Sequence, residues 1–152
     1  MFTIFEIMGS RGKSKVCFFF QKVAPLPDRT MLKRFLERSI REEGKKLKFL
    51  NLVFCSDEEI LRINREYLKH DFYTDIITFE LSPSGAPIEA EIYISVDRVR
   101  QNAGKLGESI KRELHRVIFH GVLHLCGYAD KTTDQRKEMR AKEDELLRKY
   151  LS

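Results

Sequence analysis

Residues 117–129, from Val117 through His120 and His124 to Ala129, carry no formal charge in a chain of which 34% is charged. Such a stretch is too short to cross a bilayer, which takes about 20 apolar residues, and too apolar to lie against water. It has to be a helix buried at the centre of the fold. Everything else in the chain must be compatible with burying it.

The rest of the pattern supplies the means. With 152 residues the chain can bury roughly 70% of the surface its unfolded form exposes, enough for one core. Residues 1–15, with Gly9, Ser10, Gly12 and several basic side chains, are expected to be a poorly ordered extension, and residues 16–152 a single domain. Strands are expected over 16–20, 47–54, 75–81 and 88–95. Residues 82–87, Ser-Pro-Ser-Gly-Ala-Pro, form the loop between the last two. A first helix starts at a cap on Asp28 or Thr30, carries Leu32, Phe35, Leu36 and Ile40 at helical spacing and stops at Gly44. Ser56 with Glu59 three residues later reads as a capping box for a second. Helices from 96 to about 107, from 109 to 125 and from about 133 to 150 complete the chain. The strands and helices do not alternate strictly, which predicts an α+β domain, a mixed four-stranded sheet covered by about five helices. The pattern leaves the strand order open.

Charge and cysteines narrow the setting. Residues 1–50 hold 12 Lys and Arg against 5 acids, residues 51–100 hold 5 against 10, and residues 101–152 hold 11 against 8. A basic first third suits a surface that meets a polyanion, and an acidic middle third suits a bound cation; solvated helix faces would give the same tally. Arg29, Lys33, Arg34, Arg38 and Arg41, largely off the apolar stripe of the first helix, are the candidates to follow a polyanion such as an RNA backbone, although solvation is the commoner reason for such a face. Cys17, Cys55 and Cys126 are odd in number and each lies in an apolar stretch, which reads as buried free thiols in a reducing compartment. No run suits a membrane span and the first residues lack a signal-peptide pattern, so a cytoplasmic protein is expected.

The chemistry concentrates at 120–130. Side chains four apart share a helix face, so His120 and His124 can aim both imidazoles at one ion. Gly127 can end the helix in a left-handed turn that brings Asp130 back as a third ligand. Two imidazoles and a carboxylate with one open position suit one Zn²⁺ per chain in a catalytic type of site, and other divalent metals also fit. The same residues read equally as core histidines bonded to backbone carbonyls, with Asp130 capping the last helix. His115 lies about 140° around the helix from His120 and His70 stands alone in the middle of the chain, so neither is expected in the site. Glu91 is the candidate catalytic carboxylate, as base or as partner to a ligand, with an acid on a strand face as its other reading.

Residues 120–130 resemble the signature of the YbeY family of ribosomal RNA maturation endoribonucleases, His-Gly-x-Leu-His-Leu-x-Gly-Tyr-Asp-His. Upstream, Asn64, Tyr67, Asp71, Thr74, Asp75 and Phe79 fall where that family has Asn-x-x-Tyr and Thr-Asp-x-x-(Ser/Thr)-Phe, and residues 91–95 are similar to its Gly-Asp-Ile-x-Ile-Ser strand. The similarity runs from about residue 16 to residue 147. It implies a zincin-like fold and a metal-dependent, single-strand-directed endoribonuclease acting at the 3′ end of small-subunit ribosomal RNA. It also implies small-subunit proteins and an assembly GTPase as partners. Two positions depart from the pattern. Asp130 stands where the family has its third histidine, with Ala129 before it, and Leu68 stands where an arginine usually follows the tyrosine. A carboxylate ligand adds negative charge and makes a bound water less acidic than three neutral imidazoles would. The alternatives are a ribosome-assembly factor with a structural zinc and another zinc hydrolase of metalloprotease type, which the missing glutamate after His120 disfavours.

Overall fold

A computed structural model describes residues 14–152; the extension expected over 1–15 lies, as far as residue 13, outside the described residues. Its elements run β1 (Val16–Phe20), α1 (Arg29–Glu42), β2 (Leu47–Cys55), α2 (Asp57–Tyr67), β3 (Ile76–Glu80), β4 (Ile88–Ser95), α3 (Val96–Leu106), α4 (Ile110–Leu125) and α5 (Thr133–Leu151). The α+β class, the four strands and the five helices expected from the pattern are all present among the described residues.

The strand order is β1-β2-β4-β3. β1, β2 and β4 are mutually parallel, and β3 returns antiparallel to β4 through the short loop that the Ser-Pro-Ser-Gly-Ala-Pro stretch indicates. Successive side chains on a strand point to opposite faces, so each strand sorts its residues between two cores. Leu50, Leu52 and Phe54 of β2 and Ala90, Ile92 and Ile94 of β4 face the larger core, where α1, α4 and α5 pack. Val53, Cys55, Ile77 and Tyr93 face the other side, where Ile60 and Ile63 of α2 cover them. The near-continuous apolar runs in β2 and β4 follow from this, since central strands are buried on both faces.

The caps explain where the helices stop and start. Ser56, Ser95 and Ser109 each accept a hydrogen bond from the backbone N–H three residues on, which opens α2, α3 and α4. Asp28 precedes α1 in a left-handed conformation (φ 52°) and its carboxylate makes no capping bond, so the expected side-chain cap does not form there. Gly44 (φ 77°) closes α1: its N–H bonds to Arg41 O and the Lys45 N–H to Ile40 O, the paired bonds of a Schellman turn. All three cysteines are free and buried, and burial pushes the Cys55 thiol up to about 12. Among the described residues no helix is long and apolar enough to cross a membrane.

A candidate metal centre at the end of α4

The uncharged stretch forms the second half of α4, and it lies against the sheet because of Gly121. A Cβ at that position would come 2.8 Å from Ile76 Cδ1 and 3.0 Å from Ile92 Cδ1, closer than side-chain carbons approach. Removing the side chain lets the helix backbone sit directly on β3 and β4. His120 and His124 flank that contact.

The end of the helix then builds the site. Gly127 (φ 102°) takes the left-handed turn expected of it, with its N–H bonded to His124 O and the Tyr128 N–H to Leu123 O, both at 3.0 Å. The turn aims the Tyr128 carbonyl back at the helix, where it lies 2.9 Å from His124 Nδ1. Two residues later Asp130 Oδ2 arrives 3.4 Å from His120 Nε2 and 3.3 Å from His124 Nε2, and the two Nε2 atoms are 3.0 Å apart. The three side chains that the sequence singles out are therefore gathered at one point. Asp130 does not cap α5: Thr132 does, in a reciprocal capping box with Gln135.

The far side of each ring decides what the near side can do. His120 Nδ1 is 2.7 Å from Glu143 Oε2, on α5, and a carboxylate can only accept, so this nitrogen carries the hydrogen. His124 Nδ1 donates to the Tyr128 carbonyl on the same logic. With neutral rings, both Nε2 atoms present lone pairs to each other and to the Asp130 oxygen. Three acceptors facing one another without a donor repel unless a cation lies among them. Burial opposes charge on His120, but the Glu143 hydrogen bond and the carboxylates of Glu143, Asp130 and Asp75 outweigh it and hold its pKa above the ordinary imidazole value. The field that favours a proton there favours a dication more strongly.

A cavity of about 370 Å³ opens beside this point, lined among others by Asp75, Arg116, His120, Asp130, Arg136 and Arg140. Burial raises the Asp75 carboxyl, and the nearby His120 only partly offsets this. Glu143 is itself buried, with Arg116 Nη1 and Arg140 Nη1 each 3.8 Å from its Oε1. The arrangement is an open three-ligand constellation with an ordered partner behind each imidazole, on the wall of a cavity holding both acid and guanidinium groups.

Other residues singled out in the sequence lie elsewhere. Glu91 alternates with Ile92, so it points to the α2 side of the sheet. There it is fully buried with the Tyr93 hydroxyl (3.1 Å) and Asn51 Nδ2 (3.4 Å), and the structure does not bring it to the imidazoles. On α1, Arg29 sits over the Phe20 ring (4.0 Å), Lys33 over Phe18 (5.4 Å) and Arg38 over Phe35 (5.5 Å), while Arg34 borders a shallow pocket at the start of the helix. None of these four lines the cavity at His120; Arg41, at the other end of α1, lines a separate groove. His115 is a core histidine, its Nδ1 donating to Lys111 O (2.7 Å) and its ring stacked on Tyr150. His70 stacks on Phe72. Glu143 and Arg116 were not anticipated. One signal existed for Glu143: it is the acid in the buried α5 stripe of Met139, Leu146 and Leu147, where an unpaired carboxylate would be costly.

The sequence profile described as Endoribonuclease YbeY matches residues 21–151. A relative named Endoribonuclease YbeY from Cytophaga hutchinsonii is 46% identical over 137 residues, covering 89% of this chain and 96% of its own. One of the same name from Porphyromonas gingivalis is 41% identical and covers 88% of this chain and 89% of its own. A solution structure of a protein from Thermotoga maritima superposes with a TM-score of 0.59 at 27% identity, covering 86% of either chain. The signature around His120 and His124, the profile over nearly all the chain and full-length relatives at this identity agree: the chain belongs to the YbeY family.

Proposed function

We propose that this protein is a metal-dependent endoribonuclease that cuts single-stranded ribosomal RNA during small-subunit maturation, at the 3′ end of that RNA. We place it in the cytoplasm with small-subunit proteins and an assembly GTPase as partners, as the family resemblance implies. The observation that carries the catalytic part is the convergence of His120 Nε2, His124 Nε2 and Asp130 Oδ2 with both Nδ1 atoms already engaged. That donor set fits one Zn²⁺ per chain. A bound Zn²⁺ would supply Lewis acidity beside a phosphodiester and acidify a water.

The chain's own residues do the rest. Glu143 fixes the ring orientation and tautomer of His120, and the Tyr128 carbonyl does so for His124. Arg136 and Arg140, both exposed on the cavity wall, would hold the non-bridging oxygens of the phosphate. Asp75 and Glu113 both line that wall with carboxyls that burial raises, and Asp75, beside His120, is the one we assign to pass a proton to a departing oxygen. Peptide hydrolysis of the His-Glu-x-x-His type finds no support, since a side chain at position 121 would be driven into Ile76 and Ile92.

Purified protein, assayed for bound metal, should cleave single-stranded ribosomal RNA. Chelator or His124→Ala should abolish that activity. Equal cleavage in all samples would mean a contaminating nuclease and end this reading.

A further inference from the structure

A second, strongly basic groove lies away from the metal centre, where the strands begin. Its cavity of about 500 Å³ is lined by Lys15, Arg41, Lys45, Lys46 and Lys48 over Leu47 and Pro87, with Glu37 the one acid among its lining residues. Lys48 pairs with Glu89 (2.9 Å), but Lys15, Arg41, Lys45 and Lys46 are exposed and make no ion pair among the described residues. Against that one acid, four cations around one hollow with no ion pair among the described residues repel one another, an arrangement that does not favour the fold.

The backbone beneath them is fixed. Lys45 donates to Ile40 O in the Schellman turn at Gly44, Lys46 O accepts from the Ile88 N–H (2.7 Å), and Lys15 O accepts from the Leu50 N–H (2.8 Å). The cationic side chains therefore project from a rigid frame at the ends of β1, β2 and β4. That frame is joined to the metal centre. Glu43, one residue before Gly44, accepts from the Tyr128 hydroxyl (3.0 Å), and the Tyr128 carbonyl orients His124.

We infer that this groove binds the phosphodiester backbone of the single-stranded RNA substrate, several nucleotides away from the bond that is cut. The inference rests on the endoribonuclease reading and deepens it: an enzyme that cuts inside a long strand gains affinity by holding the strand beyond the reacting phosphate. Charge complementarity selects the ligand. Spaced cations over a small apolar floor match a repeating monoanion whose bases can lie on Leu47 and Pro87.

The test compares wild type with Lys45→Ala/Lys46→Ala and Lys45→Arg/Lys46→Arg, variants at exposed positions whose melting temperatures should match the wild type. Affinity for an oligouridylate of about 20 nucleotides is measured in chelator over a range of salt, and cleavage of a trinucleotide is measured with metal. The alanine pair should bind about tenfold more weakly, with a log–log salt slope shallower by about 1.4, because each lost contact to a single strand removes roughly 0.7. The arginine pair should restore both values, and trinucleotide cleavage should be unchanged throughout. Unchanged affinity and slope in a protein that still cuts RNA would overturn the groove and leave the endoribonuclease reading standing. A wild type that neither binds nor cuts RNA would remove both. An equal loss of affinity for polyglutamate would assign the groove to an acidic protein and overturn the RNA assignment.

Discussion

Asp130 is the residue on which the centre turns, because it converts two helix-borne imidazoles into a three-ligand set. Asp130→Asn keeps the shape and removes the charge; the variant is expected to lose most of its metal, while Asp130→His should retain about one ion per chain. Elemental analysis after dialysis decides this, and an Asn variant that stays loaded would exclude Asp130 as a ligand. Glu143→Gln is expected to weaken metal affinity by about 10- to 100-fold, since its amide can donate to His120 Nδ1 and reverse the tautomer. A competition titration with a chromophoric chelator reads that shift. At this scale the convergence of the three candidate ligands was legible in the sequence because spacing along a helix and one glycine turn fix their geometry. Glu143 could not be assigned to His120, since the docking of α5 on α4 brings together residues 23 apart and no local pattern encodes such a meeting. Glu91 suits a base or a partner to a ligand on residue type alone, and the two-residue period of β4 puts it on the other face of the sheet.

Elements were read well where the chain punctuates itself. β1 and β4 occupy their expected residues, and the helix limits fall within about two positions of the caps and glycines that mark them. The order of strands was not readable. Parallel pairing of β2 with β4 skips over β3, and the apolar runs of strands buried on both faces carry no mark of their neighbours. Gly121 shows how an element's packing depends on a missing side chain. Gly121→Ala should destabilise the protein by about 1–3 kcal/mol through overpacking against Ile76 and Ile92, although alanine favours helix more than glycine does. Denaturant unfolding measures the difference. A variant as stable as wild type would show that the two isoleucines can retreat and that the close approach is not required.

Across the whole molecule, two buried groups outside the metal centre should make stability depend on pH with opposite signs. Burial lowers the His115 pKa despite its bond to Lys111 O, so the unfolded chain takes up the proton first. Stability is then lost as pH falls below about 6.5 toward the folded-state value. Glu91 has the opposite sign. Burial raises its pKa against the hydrogen bonds from Asn51 and Tyr93, so its contribution is complete below the ordinary glutamate range and is lost as pH rises through the folded-state pKa. Glu91→Gln should flatten the decline that begins as pH rises above the ordinary glutamate range, in unfolding curves collected at several pH values; parallel curves for the two proteins would show that Glu91 does not set it. The turn at Gly127 and Tyr128 has a consequence at this scale too. One carbonyl both lies in the turn that ends the central helix and orients His124, a candidate ligand, so under the proposed reading a chain that leaves that last corner unmade would not be charged with an ion. On the proposed metal-dependent reading, loading of the ion doubles as an inspection of the finished fold, and a nuclease assembled this way stays silent until its own architecture is complete.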